Sequence, residues 1–320
     1  MVARPGARGY VARMQLRMIL TIVLLLASCA PDRADDSRGD AEPDDPKAHR
    51  EVVAASTPLV AELLEMAGAH TCADVMVLLP ANASPHETEP TPRAVSAAGD
   101  ATLLARVGLG FEHLDDVGAR EVVDLAPMVD PVQGPWGTDP HFWQDPQRTR
   151  RAVESLSRRL SNLEACDPDQ ITETTSRSAE LLDELDGWAT ERFRTIPREK
   201  RRVVTFHDSL RTMAERFDIE VVATVVPSTA HEAEVPPRHL RTVAEALRST
   251  PPPIMVLEPF DEHESGDLVD TLAGESGVEF RTVTILMDNL PDRSAEPDDP
   301  GLDYVVWFRE NVEKLVDAWR

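Results

Sequence analysis

From Asp167-Pro168 to about Thr195 the sequence runs without an internal proline, and Ile171, Ala179, Leu181, Leu182, Leu185, Trp188 and Phe193 recur through it. Those spacings supply an apolar face for a helix. Asp167 is suited to cap its start and Pro168 to occupy its first turn. A helix of about 28 residues is roughly 42 Å long. That is long for a connection within one compact domain, so it is expected to be a rigid spine joining two. The chain then divides into an N-terminal lobe over 49–166, a linker helix over 167–197 and a C-terminal lobe over 198–320.

Both flanks of the spine alternate short apolar runs with amphipathic ones. In the first, residues 55–68 read as a helix carrying Leu59, Leu63, Leu64 and Met66. Val75 to Leu79 reads as a buried parallel strand. Further strands are expected at 102–108 and 121–125, and helices near 92–98 and over 146–163. In the second flank, strands are expected at 202–206, 220–225, 253–257 and 278–286. Helices are expected after His207-Asp208-Ser209, over 238–249 and over 303–319. This alternation implies an α/β fold in which each lobe has a parallel-type sheet flanked by helices.

Hydrophobic residues make up 42% of the chain and charged residues 28%, as in soluble globular proteins. The net charge of -24 argues against nucleic acid as a partner, which calls for a basic surface. The N-terminus differs. Arg4, Arg8, Arg13 and Arg17 precede an apolar run from Met18 to Ala27 that is too short to span a bilayer. Leu26-Ala27-Ser28-Cys29 looks like a bacterial lipobox. Residues 1–28 are therefore expected to be a lipoprotein signal peptide, with an uncleaved anchor as the alternative and Met14 or Met18 as other starts. Cys29 would carry the lipid. Ala30 to Ala48 is acidic and proline-rich without a large apolar residue, a composition for a disordered tether spanning roughly 25 Å. Two cysteines remain, Cys72 and Cys166. An oxidising exterior favours a disulfide between them, two buried thiols being the alternative.

Four residues carry the chemistry. His86 stands in Pro80-Ala-Asn-Ala-Ser-Pro85-His86-Glu-Thr-Glu-Pro90-Thr-Pro92, His141 lies between two Asp-Pro steps in Asp139-Pro140-His141-Phe142-Trp143-Gln144-Asp145-Pro146, and His207 and Asp288 follow strands of the second half. Prolines restrict their own φ and the residue before them, so the first two loops are stiff. Ligands gather at the carboxyl ends of strands in open α/β sheets, so the four can converge in one cleft, two from each half. Three neutral imidazoles and a carboxylate suit Zn²⁺ in tetrahedral geometry. Mn²⁺ prefers more oxygen, and a carboxylate at position 207 would have favoured it. Glu258 and Asp261 also follow a strand and compete with Asp288 for the fourth place. His113, His231, His239 and His263 read as solvated. Asp145 and Asp208 read either as helix caps or as carboxylates that orient a neighbouring imidazole.

The segments around His86 and His141, together with Val204-Thr205-Phe206-His207-Asp208, resemble three signature segments of the zinc ABC-transporter substrate-binding lipoproteins. Met287-Asp288-Asn289-Leu290 and the stretch from Tyr304 to Val312 are similar to that family's C-terminal segment. The resemblance covers about residues 50–320 in matching order, plus the lipobox. It implies two α/β lobes on a rigid helix with one metal between them, held by His86, His141, His207 and Asp288. It also implies capture of zinc outside the cytoplasmic membrane and delivery, as a monomer, to a permease driven by an ATPase. A zinc metallochaperone would be a further partner. Two departures stand out. Pro127 to Thr138 holds no histidine where many members carry a histidine-rich loop, and Thr88 stands where an aromatic is often found. A surface adhesin on the same scaffold is one alternative. A zinc hydrolase is another, although no His-Glu-x-x-His occurs and four protein ligands leave no position for water.

Overall fold

The computed structural model describes residues 50–320 apart from 82, 115, 227–234, 250, 260–261 and 291–299. The expected signal peptide, lipidation site Cys29 and tether, together with His231 and Asp261, lie outside the described residues.

Four parallel strands make the first sheet: β1 (Glu51–Ala55), β2 (Ala73–Val77), β3 (Leu103–Arg106) and β4 (Glu121–Asp124), in the order β2-β1-β3-β4. The second sheet is built alike from β7 (Arg202–Thr205), β8 (Glu220–Thr224), β9 (Ile254–Leu257) and β10 (Thr282–Thr284), in the order β10-β9-β7-β8. A short antiparallel hairpin, β5 (Gln133–Gly134) with β6 (Gly137–Thr138), lies between them in sequence. The helices are α1 (Pro58–Met66), α2 (Pro92–Gly99), α3 (Pro146–Leu160), α4 (Pro168–Arg194), α5 (Arg211–Phe217), α6 (Pro237–Leu247), α7 (Glu262–Ser276) and α8 (Leu302–Trp319).

β1 was not anticipated from the sequence, and it takes a central place that changes the reading of its neighbour. Val53, Ala54 and Ala55 are fully buried, because β1 is paired on both edges and each of its faces packs into a separate apolar cluster. The run Val75 to Leu79, expected as a buried strand, instead contributes its first half to the edge strand β2. There Val77 is 41% exposed, while Leu78 and Leu79 bury themselves only beyond the strand. The last strand is likewise shorter than 278–286, and α7, which precedes it, was not anticipated either.

The spine is α4. Asp167 caps it by accepting from Asp169 N, and Pro168 opens it. Its 27 residues span about 40 Å. Ile171, Leu182, Leu185 and Phe193 are its buried face, and each such side chain contributes about 1.5–3 kcal/mol when fully buried. They belong to one continuous apolar cluster that also holds Val53 and Leu63 from the first half and Val203, Ile254, Phe308 and Leu315 from the second. Both sheets therefore rest on a shared core. Hydrogen bonds add to this: Ser178 Oγ donates to Met66 O at 2.8 Å, and Arg192 pairs with Glu313 of α8. Cys72 and Cys166 form a disulfide that ties the start of β2 to the start of α4 across 94 residues.

One half-buried carboxyl works against this packing. Glu62 on α1 faces the start of α8, where its Oε1 accepts from Tyr304 N at 3.5 Å. Burial and the nearby Asp303 carboxylate push its pKa from 4.5 up to about 7. A carboxyl whose folded pKa exceeds its unfolded value costs stability progressively from pH 4.5 to 7, and the whole cost is present above 7. Glu62→Gln is expected to stabilise the protein at pH 8 by about 1–3 kcal/mol and to change little at pH 4. Thermal unfolding at both pH values checks this; no gain at pH 8 would show that the ionised carboxylate carries no penalty.

Candidate metal centre

Each of the four residues is placed by a local rule. His86 sits in the loop after β2, where Glu87 N and Thr88 N both turn back to Ser84 O, at 3.3 and 3.1 Å. Thr91 caps the next helix by accepting from Ala94 N, and Pro92 opens it. His141 follows the β5–β6 hairpin, and Asp139 N donates to Val132 O at 2.8 Å to close that turn. Asp145, at the far end of the segment, accepts from Gln147 N and caps α3. His207 stands two residues beyond β7 and Asp288 four beyond β10. The chain beside Asp288 is pinned by Trp143 Nε1 and Gln144 Nε2, which donate to Met287 O at 2.7 and 3.3 Å. Trp307 Nε1 and Asn311 Nδ2 both donate to Leu286 O at 2.7 Å.

The structure brings His86, His141, His207 and Asp288 together, with one donor atom from each lying within 4.8 Å of all the others. Asp288 is the hub. Its Oδ2 lies 3.2 Å from His86 Nε2 and 3.4 Å from His207 Nε2, and its Oδ1 lies 3.3 Å from His141 Nε2. A tetrahedron with metal–ligand bonds of about 2.0–2.2 Å has edges of roughly 3.3–3.6 Å, close to those separations. All four residues are buried. Glu258, the competing carboxylate, faces the other nitrogen of His207: its Oε1 is 3.6 Å from Nδ1. It stands behind the imidazole, outside the group of four.

Burial alone would raise the Asp288 pKa, but His207, His86 and the hydrogen bond from His141 hold it well below the usual carboxylate range. Burial alone would lower the His141 pKa, yet Asp139 and Asp288 raise it to about 10. The proton that His141 holds beside the buried Asp288 anion is what a cation can replace. Metal binding exchanges the proton for the ion.

The wall of the site was not anticipated from the sequence. Phe111 packs edge-on against His86 at 4.6 Å, His141 at 5.6 Å and Trp143 at 4.9 Å between ring centroids. It is delivered by a Gly108-Leu109-Gly110 turn that wraps the buried Glu112, whose carboxylate accepts from Val107 N and Gly108 N at 2.7 and 3.0 Å. Gly108 has φ +81°, and a Cβ there would lie 2.9 Å from Asp124 Cβ, so a side chain is excluded on both counts. Phe111 thus supplies an aromatic contact to His86, whose own loop carries Thr88. A Gly-x-Gly turn followed by an aromatic and an acid was the available signal.

Of the two secondary carboxylates, Asp145 takes the capping role and Asp208 neither of the roles expected for it. Asp145 caps α3 and pairs with Arg148 at 2.8 Å, and Asp208 pairs with Arg211 at 2.9 Å. The carboxylate on His141 is Asp139, which reads in sequence only as part of a turn. His113 is exposed, as expected. His239, expected to be solvated, instead has Nε2 2.7 Å from Thr224 O and its ring 6.0 Å from that of Trp136. The side chain of His263 lies outside the described residues.

Comparison with known proteins places this geometry. The family model described as zinc-uptake complex component A, periplasmic (ZnuA) matches residues 53–318. The manganese-binding lipoprotein MntA of Halalkalibacterium halodurans is 26% identical over 82% of this chain and 85% of its own length. The high-affinity zinc uptake system protein ZnuA of Bacillus subtilis is 25% identical over 77% of this chain and 80% of its own. Among solved structures, the periplasmic zinc binding protein TroA of Treponema pallidum superposes with a TM-score of 0.73 at 20% identity, covering 84% of this chain and 99% of TroA. That likeness shows the same two-sheet α/β fold. The chain belongs to the zinc-uptake complex component A periplasmic family of metal ABC-transporter substrate-binding proteins.

Proposed function

We propose that this chain captures Zn²⁺ outside the cytoplasmic membrane, tethered by a lipid on Cys29, and delivers it to an ABC permease and its ATPase. The observation that carries the reading is the convergence of three imidazole nitrogens and one carboxylate, all buried, in a single group. Three nitrogen donors favour zinc over manganese, which takes oxygen more readily. Four protein donors also complete a tetrahedral shell and leave no position for an activated water, which supports capture over hydrolysis. Among the described residues no helix is long and apolar enough to cross a membrane, so attachment in this reading falls to the N-terminal lipid.

Manganese is the second reading, and one feature favours it. Both Asp288 oxygens face ring nitrogens, so a bidentate carboxylate would add an oxygen, and MntA is named for that metal. Calorimetric titration of chelator-stripped protein decides. One zinc per chain, with manganese at least about 100-fold weaker, is the expected result. Tighter manganese would transfer the import role to that ion. No stoichiometric binding of either would mean that the scaffold has lost its cargo.

A further inference from the structure

We propose that Asp139 is a positioning residue that aims His141 into the metal site and, through Thr212, makes that aim depend on the register between the two halves of the chain. The inference rests on the metal-capture reading above.

The carboxylate is 1% exposed, and its two oxygens face in different directions. Oδ1 accepts from the His141 backbone N at 3.0 Å and contacts His141 Nδ1 at 2.6 Å. Oδ2 accepts from Thr212 N at 2.9 Å and from Thr212 Oγ1 at 2.6 Å. A hydrogen bond to Nδ1 fixes which ring nitrogen carries the proton, turns Nε2 towards Asp288 and makes it a stronger donor to a metal. Pro140, between acid and imidazole, has its φ locked, so the spacing of the pair is rigid. Four donor contacts on one carboxylate leave it little freedom to turn.

The partner on the other side makes this more than local support. Thr212 belongs to α5, which follows β7 and His207 in the second half, whereas Asp139 and His141 belong to the first. Glu258, the carboxylate behind His207, comes from the same half as the histidine it faces. Around Asp139 the two halves touch closely. Arg148 Nη2 donates to Glu215 Oε1 at 2.7 Å, and a Cβ on Gly134 would lie 2.8 Å from Arg211 Nε. A shift of α5 relative to the hairpin pulls on Oδ2, and Oδ1 carries the displacement to the imidazole. Opening the two halves would thus loosen one metal ligand without that ligand moving off its own loop.

Full-length protein, purified in detergent and stripped of metal, tests this with Asp139→Asn, Thr212→Val, Thr212→Ser and the Asp139→Asn/Thr212→Val double variant. Zn²⁺ affinity is read by competition with a chromophoric chelator, and Co²⁺ by its visible ligand-field absorption. Asp139→Asn is expected to weaken Zn²⁺ about 10–100-fold and to shift the cobalt band. Thr212→Val, which keeps the backbone N–H, is expected to weaken Zn²⁺ about 3–10-fold, and Thr212→Ser to behave as wild type. The double variant should bind no more weakly than Asp139→Asn alone, because both act through one carboxylate. Wild-type Zn²⁺ affinity and cobalt spectrum in Asp139→Asn, even with a lowered melting temperature, would leave Asp139 a purely structural residue and overturn the proposal. Additive losses in the double variant would overturn the link through Thr212. If the wild-type chain itself binds neither ion stoichiometrically, the capture reading fails with it.

Discussion

Replacing His141 with alanine is expected to weaken Zn²⁺ binding by about 100- to 1,000-fold while leaving the fold intact. Binding at a four-ligand zinc site is worth about 10–16 kcal/mol, so one ligand in four accounts for roughly 3–4 kcal/mol, or two to three decades. The fold should survive because what His141 leaves behind stays paired. Asp139 Oδ1 still accepts from the backbone N–H of residue 141, and Oδ2 keeps both contacts to Thr212. The turn after it is held independently, by Tyr304 Oη donating to Trp143 O at 2.7 Å and by Trp143 Nε1 on Met287 O. A small cavity beside Phe111 and Trp143 should cost about 1–3 kcal/mol of stability. His113→Ala is the control, since that ring is exposed and outside the group of four. Competition binding with circular dichroism on both variants makes the comparison. If His141→Ala kept its zinc affinity within about threefold, far short of the loss of one ligand, His141 would not be a ligand.

Much of this arrangement is legible in the sequence because stiffness and chemistry coincide there. The prolines around His86 and His141 mark loops that cannot collapse onto a helix, and the spine declares itself through Asp167-Pro168 and a long apolar face. What the sequence hides is mostly what depends on partners far away in the chain. β1 is short, and Ala54 and Ala55 give no strong strand signal. Its identity comes from pairing with β2 and β3 on its two edges while its two faces are buried in separate apolar clusters. The mirror error at β2 has the same origin, because a run of apolar residues does not say whether it lies at a sheet's centre or its edge.

The site follows the same division. Residue type and strand-end position nominate the three histidines, and the family resemblance of their segments sets them apart from the other loop histidines. The carboxylates around them are harder to assign, because an aspartate beside a proline has several ordinary uses. Asp145 and Asp208 take two of these, a cap and an arginine partner, while Asp139 is drawn to His141 by a hairpin whose closure depends on Val132. Phe111 is easily missed in the sequence for a related reason. It reaches the imidazoles only because Glu112 folds back under the Gly108 turn.

Acidification is expected to release the metal steeply, and His141 sets the sign. In the metal-free protein Asp288 stays ionised, while burial of His141 is outweighed by Asp139 and Asp288, which raise its pKa from 6.5 to about 10. Below that value the site holds a proton on His141 that the metal must displace, since only the neutral ring binds. Each displaced proton changes the apparent affinity about tenfold per pH unit. From pH 7.5 to 5.5 the affinity should therefore fall at least about 100-fold on account of this group alone. The same shift acts oppositely on the metal-free fold. A histidine whose folded pKa is raised stabilises the protein fully below 6.5, and that contribution is lost as pH rises towards 10. The melting temperature gained on adding zinc should accordingly grow as pH rises from 5.5 to 8. Titrations in two buffers of different ionisation enthalpy count the protons directly, and about one per zinc from His141 is expected at pH 7.5. His141→Ala should release fewer. A zinc affinity flat between pH 7.5 and 5.5, or binding without proton release, would mean that the ion does not enter through this cluster.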